Sequence, residues 1–360
     1  MGSSCECVDR DRSNTPGAGD PKPEARLFVS ISDIYYDISV ESDYDELDRR
    51  LVHALQIDPR AAFSTIADVL DVSDRTIARR YARLRSTGAV RVLGGVDPTA
   101  LGAVHWFLRV RCAPDAAVPV AEALARRPDT SWVNLSAGGT EVTCTVRTEN
   151  EADSEALLLS TLPRTRRVEG VTAHSVLHAF YGGSDSLVAK VGTLDEEAIE
   201  RLRPPPIAHR PGPVHLDDGD RKLLAALAID GRTGFERLAA VTGWSPTTVR
   251  RRMRELREHG VLYLDIDIDG ALFGSTSRTL LWLSVTPAHL EETGAALAEH
   301  PEVAFAAATT GPTNLYATAV CANQRELYRY LTTRVAALPA ITHIETAPVI
   351  RTVKQAGHQR

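Results

Sequence analysis

The sequence predicts an α+β protein of two similar halves, each with a winged-type helix-turn-helix domain followed by a ferredoxin-like βαββαβ domain. Three observations predict this architecture. An arginine-rich helix with a serine before it and a glycine after it occurs twice, 172 positions apart. After each copy, apolar residues follow helical and strand-like spacings in the order βαββαβ. A proline-rich stretch, which resists helix and sheet, separates the two halves.

These patterns divide the 360 residues into six segments. The polar start of the chain has little to bury and predicts a disordered tail, followed by an arm with strand-like alternation at 27–38. In order, the segments are the tail and arm at 1–44, the first helix-turn-helix domain at 45–97, the first ferredoxin-like domain at 98–183, a semi-rigid spacer at 184–215, the second helix-turn-helix domain at 216–269 and the second ferredoxin-like domain at 270–356.

The first arginine-rich helix lies between Ser73 and Gly88. A serine hydroxyl can accept a hydrogen bond from a free amide of the first turn, and glycine tolerates the positive φ of a helix stop. An apolar stripe recurs at helical spacing, at Ile77, Tyr81 and Leu84. From residue 74 to 88, five arginines stand against one aspartate. The sequence therefore predicts an amphipathic helix with a cationic outer face.

The second copy of this helix lies between Ser245 and Gly260. Pro246 takes the first helical position, where its missing N–H costs nothing. The matching apolar stripe consists of Val249, Met253 and Leu256. Five arginines face two glutamates over 246–259, so this helix too carries an excess of positive charge.

Each arginine-rich helix follows two other predicted helices, at 45–57 and 63–70 in the first half and at 220–229 and 235–241 in the second. In this helix-turn-helix order the last helix enters the major groove of DNA and the one before it braces the backbone. A solvated charged face would explain one such helix, but the repeated cap, stripe and stop favour binding to double-stranded DNA. The predicted DNA-binding residues are Ser73, Arg75, Thr76, Arg79, Arg80 and Arg83 in the first copy and Ser245, Thr247, Thr248, Arg250, Arg251 and Arg254 in the second.

A short motif also recurs between the first two helices of each half, as Asp58-x-Arg60 and Asp230-x-Arg232. The arginines could contact DNA phosphates, or the motif could shape a turn. The structural alternative is the one we favour.

Composition and cysteine usage exclude several classes of protein. A net charge of −6 argues against non-specific coating of nucleic acid, so DNA binding must come from local patches. The five cysteines have neither zinc-site spacing nor a disulfide framework, and we predict no metal and no cofactor. Reduced thiols, the lack of a signal-peptide core and the lack of a membrane-spanning apolar run predict a cytoplasmic protein.

The helix-turn-helix motifs resemble a known family. The residues Asp48-x-x-Leu51, Asp58-x-Arg60, Ser73, Ile77-x-Arg79-Arg80 and Gly88 form a pattern similar to that of Lrp/AsnC transcription regulators. The βαββαβ unit resembles their effector-binding and assembly (RAM) domain. The resemblance covers about 45–181 and 217–353, in a tandem form. It implies sequence-specific DNA binding, homo-oligomers of two or more chains assembled through the sheets, and control by an amino acid or related small molecule.

The resemblance also implies an effector pocket at the glycine-containing turn between the second and third strands of each sheet. The corresponding residues are Gly138, Gly139, Thr140 and Glu141 in the first copy and Gly311, Thr313 and Asn314 in the second. The family often has an aspartate shortly after the glycine, where this chain has Glu141 and Asn314, so the ligand stays open. A simple hairpin explains either turn equally well.

The two arginine-rich helices differ in detail. Arg79 and Arg251 match, but the first copy has Arg75, Ala78, Ala82 and Arg83 where the second has Thr247, Arg250, Arg254 and Glu255. A dimer with two recognition helices binds two half-sites about one helical turn, or a multiple, apart. Because the helices differ, we expect an imperfect palindrome whose half-sites share the base contacted by Arg79 and Arg251.

Two alternatives to a DNA-binding regulator remain. Siroheme decarboxylases resemble Lrp/AsnC proteins in both halves and use histidine and arginine in the cleft of the sheet domain, and the candidate residues here are His105, His174 and His178. A histidine on a strand is more often a buried, satisfied residue, so we predict no enzyme and no catalytic residues. The helix-turn-helix units could instead bind protein, and steep weakening of binding by salt would favour DNA.

Overall fold

Three helices form the first helix-turn-helix domain. The structure is a computed structural model that describes residues 44–97, 99–148, 151–162, 164–183, 187–208, 210, 212 and 214–356. The helices are α1 (Glu46–Ile57), α2 (Phe63–Leu70) and α3 (Asp74–Ser86), followed by strand β1 (Val90–Val96). The predicted arm at 27–38 lies outside the described residues.

The predicted ends of α3 are confirmed. The Ser73 hydroxyl accepts a hydrogen bond from the Thr76 N–H at 3.1 Å, and Gly88 has a φ of +75°. The predicted apolar stripe, Ile77, Tyr81 and Leu84, is buried in the core of the domain. The capped helix therefore turns its apolar side inward and leaves the other side to solvent.

The predicted βαββαβ order is confirmed in the first half. Its elements are β2 (Val104–Cys112), α4 (Ala117–Ala125), β3 (Thr130–Ser136), β4 (Glu141–Thr148), α5 (Glu151–Glu155) and β5 (Val168–Tyr181). Helix α5 continues into a wider π-helical turn at Ala156–Thr161.

The segment at 184–215, predicted as a semi-rigid spacer in which 194–202 could form a short helix, also packs against the first helix-turn-helix domain. It contains two short helices, α6 (Val188–Val191) and α7 (Glu196–Leu202). Apolar side chains from these helices, including Val188 and Leu202, belong to the core of the first helix-turn-helix domain. The Leu194 N–H donates to Nδ1 of the buried His53 at 3.0 Å. Burial of these apolar side chains stabilises the packing, and α7 ends at Leu202, before the prolines at 204–206.

The second half repeats these elements. The second helix-turn-helix domain consists of α8 (Asp218–Ile229), α9 (Phe235–Thr242) and α10 (Pro246–Glu258), followed by β6 (Leu262–Ile268). Its sheet domain consists of β7 (Ser277–Val285), α11 (Leu290–Ala298), β8 (Val303–Thr309), β9 (Leu315–Cys321), α12 (Gln324–Tyr330) with a π-helical turn at Leu331–Val335, and β10 (Ile341–Lys354). Ser245 caps α10 through the Thr248 N–H at 3.1 Å, as predicted.

Strands β1 and β6 join the two helix-turn-helix domains in an antiparallel ribbon. Leu93 pairs with Asp265, its own counterpart 172 positions later, and the remaining pairs are arranged symmetrically around this one. Contacts between a residue and its own counterpart are what a two-fold axis produces. The two domains of one chain are therefore related as the subunits of a symmetric dimer.

The eight strands of the two sheet domains close into one barrel, in the order β10-β3-β4-β2-β5-β8-β9-β7. Strand β5 pairs with β8, and β10 pairs with β3. Because each of these pairs joins strands of different halves, the two sheet domains of one chain share a single closed sheet.

The barrel has its own apolar interior. Successive side chains of a strand face opposite sides, so Leu108 packs in the cluster that includes α4 while Phe107 faces inward. There Phe107 contacts Tyr316 and Trp282, with ring centroids 4.3 and 6.4 Å away. Throughout the described part of the chain, no helix is long and apolar enough to cross a membrane.

Candidate nucleic-acid interface

The first recognition helix, α3, exposes two arginines from our predicted DNA-binding set, Arg75 and Arg79. Within the described residues neither side chain forms an ion pair. The Thr76 hydroxyl lies 2.9 Å from that of Ser73 at the start of the helix. Exposed arginine side chains can contact DNA phosphates and bases. The free amide groups at the start of a helix can bind phosphate.

Arg80 and Arg83, also predicted to contact DNA, are bound within the domain. Arg80 Nη1 lies 2.7 Å from Asp45 Oδ1 and 2.9 Å from Asp48 Oδ1, and Arg83 pairs with the same Asp48. The Asp48 side chain is almost fully buried, and a buried carboxylate requires such partners. Both arginines therefore connect α3 to the start of α1. Both arginines thus have structural contacts, although the Arg83 side chain is still 46% exposed, and their contact with DNA stays a prediction.

Arg252 is the counterpart of Arg80 and makes the same contact in the second copy. Its Nε and Nη2 each lie 2.7 Å from an oxygen of Asp220, whose side chain is 0% exposed. Burial works to raise the pKa of Asp220, but the Arg252 hydrogen bonds and the Asp217 backbone lower it, and the net shift is downward. The carboxylate is therefore held ionised.

The remaining arginines of α10 are more constrained than Arg75 and Arg79. Arg251 Nη1 lies 2.5 Å from Glu255 Oε1, and Arg254 Nε lies 3.6 Å from Glu258 Oε1. The Arg250 guanidinium stacks 4.6 Å over the Phe235 ring, and Thr247 is exposed. At the helix start, the hydroxyls of Thr248 and Ser245 lie 2.9 Å apart. Two predicted DNA-binding arginines in this helix thus have carboxylate neighbours.

The recurring Asp-x-Arg motifs connect the two helix-turn-helix domains. Arg60 donates to the carbonyls of Gly231 and Thr233 at 2.5 and 3.0 Å. Arg232 donates to the carbonyls of Pro59 and Ala61, both at 2.8 Å. The guanidinium groups also stack on Phe235 and Phe63, at 4.8 and 4.6 Å. We call these reciprocal contacts of Arg60 and Arg232 the arginine clasp.

The arginine clasp supports the structural alternative for these motifs over phosphate contacts. Its role across the two copies was missed from the sequence. The available signal was the repetition of Arg60 and Phe63 as Arg232 and Phe235 at the same 172-residue offset.

The two glycine-containing turns of the sheet domains differ. At the first turn, Gly138 and Gly139 have positive φ, and nothing lies within 4 Å of a Cβ built on either. Thr140 donates to the Ala137 carbonyl at 2.9 Å. Glu141, 4% exposed, pairs with Arg109 Nη2 at 2.9 Å. The first turn is thus open to solvent but is followed by a buried ion pair.

The second turn is closed by contacts within the protein. A Cβ built on Gly311 meets His174 Nδ1 at 2.6 Å. The Thr313 carbonyl accepts from the Thr309 hydroxyl at 3.1 Å, and the Asn314 side chain bonds both the N–H and the carbonyl of Val285 at 2.8 and 2.9 Å. Thr313 and Asn314 therefore have structural contacts within the protein, and effector binding at Gly311, Thr313 and Asn314 stays a prediction.

The three candidate catalytic histidines have separate surroundings. His174 is 2% exposed, with Nδ1 2.7 Å from the Thr310 carbonyl. Burial lowers the pKa of His105 to about 4, and its ring packs 5.5 Å from that of Phe107. His178 packs against Phe180, with ring centroids 4.8 Å apart. Among the described residues, no group of three or more His, Cys, Asp or Glu side chains could hold a metal ion.

Comparison with family models defines the class of these domains. The AsnC-type helix-turn-helix domain matches residues 45–85 and 216–257, and the Lrp/AsnC ligand binding domain matches 279–358. The chain is therefore an α+β protein that carries the helix-turn-helix and ligand-binding domains of Lrp/AsnC regulators.

Curated relatives match about two fifths of the chain. The HTH-type transcriptional regulator FL11 of Pyrococcus horikoshii is 27% identical over 143 residues, which are 39% of this chain and 94% of that protein. The HTH-type transcriptional regulator Ptr1 of Methanocaldococcus jannaschii is 28% identical over 140 residues, 39% of this chain and 95% of that protein.

A solved structure matches both halves together. The crystal structure of the siroheme decarboxylase NirDL is similar over 87% of this chain and 93% of that chain, with a TM-score of 0.59 and 16% identity. At this identity the similarity shows a shared fold.

Proposed function

We propose that this protein is a transcription regulator that binds double-stranded DNA sequence-specifically with two non-identical recognition helices of one chain. The domain class and the named regulators among its relatives support this function. The observation that carries it is the symmetric joining of the two helix-turn-helix domains by the β1–β6 ribbon and the arginine clasp. This joining gives one chain the paired recognition helices of a DNA-binding dimer.

The proposed interface consists of the exposed residues of both helices. On α3, Arg75 and Arg79 contact bases or phosphates, with Ser73 and Thr76 at the helix start. On α10, Thr247, Arg250 and Arg254 contact DNA, with Ser245 and Thr248 at the helix start, while Arg251, also exposed, is paired with Glu255. Arg80 and Arg83 do not belong to this interface because they bind Asp48.

We further propose that a small molecule related to amino acids regulates binding, and that chains assemble through their sheet domains in the cytoplasm. The open first turn, at Gly138, Gly139 and Thr140, supports one effector site in each chain. The closed second turn does not support a second site there, because its polar groups bond within the protein. Isothermal titration with a panel of amino acids tests this proposal, and binding of two equivalents per chain would contradict it.

Selection from a random-sequence duplex library, followed by footprinting on the selected site, tests the DNA-binding function. We expect two related half-sites about one helical turn, or a multiple, apart, with an imperfect palindrome. Binding should weaken steeply with salt because phosphate contacts release counterions. A failure to select any sequence, with no salt-sensitive binding to duplex DNA, would contradict the proposal.

A second candidate function is a tetrapyrrole enzyme, which the shared fold with NirDL favours. The barrel interior does not favour tetrapyrrole binding, because Phe107, Trp282 and Tyr316 are buried against one another and His174 Nδ1 is hydrogen-bonded to the Thr310 carbonyl. Titration with iron-uroporphyrin III, followed by its visible absorption, distinguishes the two functions. A saturable spectral shift would favour the enzyme, and an unchanged spectrum favours the regulator.

A further inference from the structure

We propose that Glu255 holds Arg251 away from DNA and makes α10 the weaker of the two recognition helices. This inference rests on the proposed function, since it concerns how the two helices divide the binding of one duplex.

The carboxylate of Glu255 lies among the arginines of α10. Its Oε1 is 2.5 Å from Arg251 Nη1, and its Oε2 is 3.3 Å from Arg252 Nη1. The Glu255 side chain is 27% exposed, so solvent screens this pair only in part. Burial works to raise the pKa of Glu255, but the hydrogen bonds and charges of Arg251 and Arg252 lower it overall. The carboxylate is thus ionised at neutral pH.

The first helix has the opposite charge at this position. Arg83 is the counterpart of Glu255, and it pairs with Asp48 of α1 instead of with its neighbour on the helix. The single acidic residue of α3 is Asp74, at the N-terminal end. Arg79, the counterpart of Arg251, therefore has no carboxylate one turn further along its own helix.

The difference has a direct consequence for phosphate binding. A DNA phosphate must compete with Glu255 for Arg251, whereas it meets Arg79 without an intramolecular competitor among the described residues. An arginine already neutralised by a carboxylate displaces fewer counterions from DNA when it binds. The second helix therefore contributes less charge-driven affinity, although each helix has five arginines.

The Glu255→Gln variant tests the proposal by fluorescence anisotropy on a labelled random-sequence duplex over a range of salt concentrations. Release of Arg251 adds about one phosphate contact, so the slope of log Kobs against log salt steepens by about 0.9. Between about 50 and 200 mM salt, the affinity of the variant should then fall about 3.5-fold more than that of the wild type. An unchanged slope would overturn the proposal.

The same substitution in an Arg251→Gln background is the matched control. If Glu255 acts by holding Arg251, the added slope largely disappears in this background. An undiminished gain would mean that Glu255 simply repels DNA, and the proposal would be wrong. A wild-type protein that shows no salt-dependent DNA binding would instead contradict the proposed function itself.

Discussion

The two helix-turn-helix domains are alike at the arginine clasp and different along the outer faces of their recognition helices. Arg60 and Arg232 exchange equivalent hydrogen bonds across the pseudo-two-fold axis. Outside that interface, Arg83 stands where the other half has Glu255. The comparison teaches that the contacts of the clasp are reciprocal in the two domains, whereas the helix faces that we propose bind DNA carry different charges.

The largest expected effect concerns the buried carboxylates that the two halves share. Asp48→Ala and Asp220→Ala each remove the buried carboxylate of an ion pair, and although Arg80 keeps Asp45 and Arg252 keeps Glu255, breaking such a pair lowers the free energy of unfolding by about 3 kcal/mol. Urea denaturation measures both. As a control, Asp218→Ala removes an exposed partner of Arg221 at 3.7 Å and should cost under about 1 kcal/mol. A large loss of unfolding free energy in only one of the two variants would contradict the equivalence of Asp48 and Asp220.

The arginine clasp should contribute next. Arg60→Ala and Arg232→Ala each remove two charge-assisted hydrogen bonds and at least one cation–π contact, and we expect each to cost about 2 kcal/mol of unfolding free energy. Because the clasp connects the two recognition domains, both variants should also bind a selected duplex more weakly. Urea denaturation and fluorescence anisotropy measure the two effects. Loss of DNA affinity without loss of stability would restore the phosphate-contact alternative.

The two glycine-containing turns provide a matched pair of smaller effects. Gly311→Ala places a Cβ at a φ of +106° and 2.6 Å from His174 Nδ1, so it should cost about 2 kcal/mol. Gly138→Ala has a φ of +70° and open space, so it should cost about 1 kcal/mol. Thermal unfolding compares them. Equal losses would contradict the difference between an open and a closed turn.

The smallest expected effect is a difference in DNA affinity between matched substitutions in the two recognition helices. Arg79→Ala should weaken binding to the selected duplex about tenfold, because a good arginine contact contributes about 1 to 3 kcal/mol of discrimination. Arg251→Ala should weaken it less than about threefold, since Glu255 already neutralises this side chain. Anisotropy on the selected duplex and on variants of each half-site measures both. An equal loss on every sequence would make Arg79 a phosphate contact.

Local patterns in the sequence were enough to predict the helices, their caps and the βαββαβ order. The serine caps and the stripe at Ile77, Tyr81 and Leu84 depend on neighbours within one or two turns, which the sequence displays directly. The predicted and observed bounds of α2 and α3 agree closely for the same reason.

The partners of long charged side chains could not be predicted in this way. Arg80 and Arg83 are one turn apart on α3, and helical spacing places both near the cationic face. Both nevertheless bind Asp48, 32 and 35 residues earlier. The packing of 188–202 on the first domain was missed for a similar reason, because the nearby prolines suggested a spacer and the apolar partners lie far away in sequence.

The presence of both recognition domains in one chain, joined by the β1–β6 ribbon, also affects how DNA binding depends on protein concentration. Two recognition domains on separate chains drift apart as a protein becomes scarce, and their joint occupancy of a duplex then falls faster than the protein concentration. Here the covalent connection keeps one domain at a fixed, high effective concentration beside the other. A few molecules in a cell would present complete pairs of recognition helices just as a concentrated solution does.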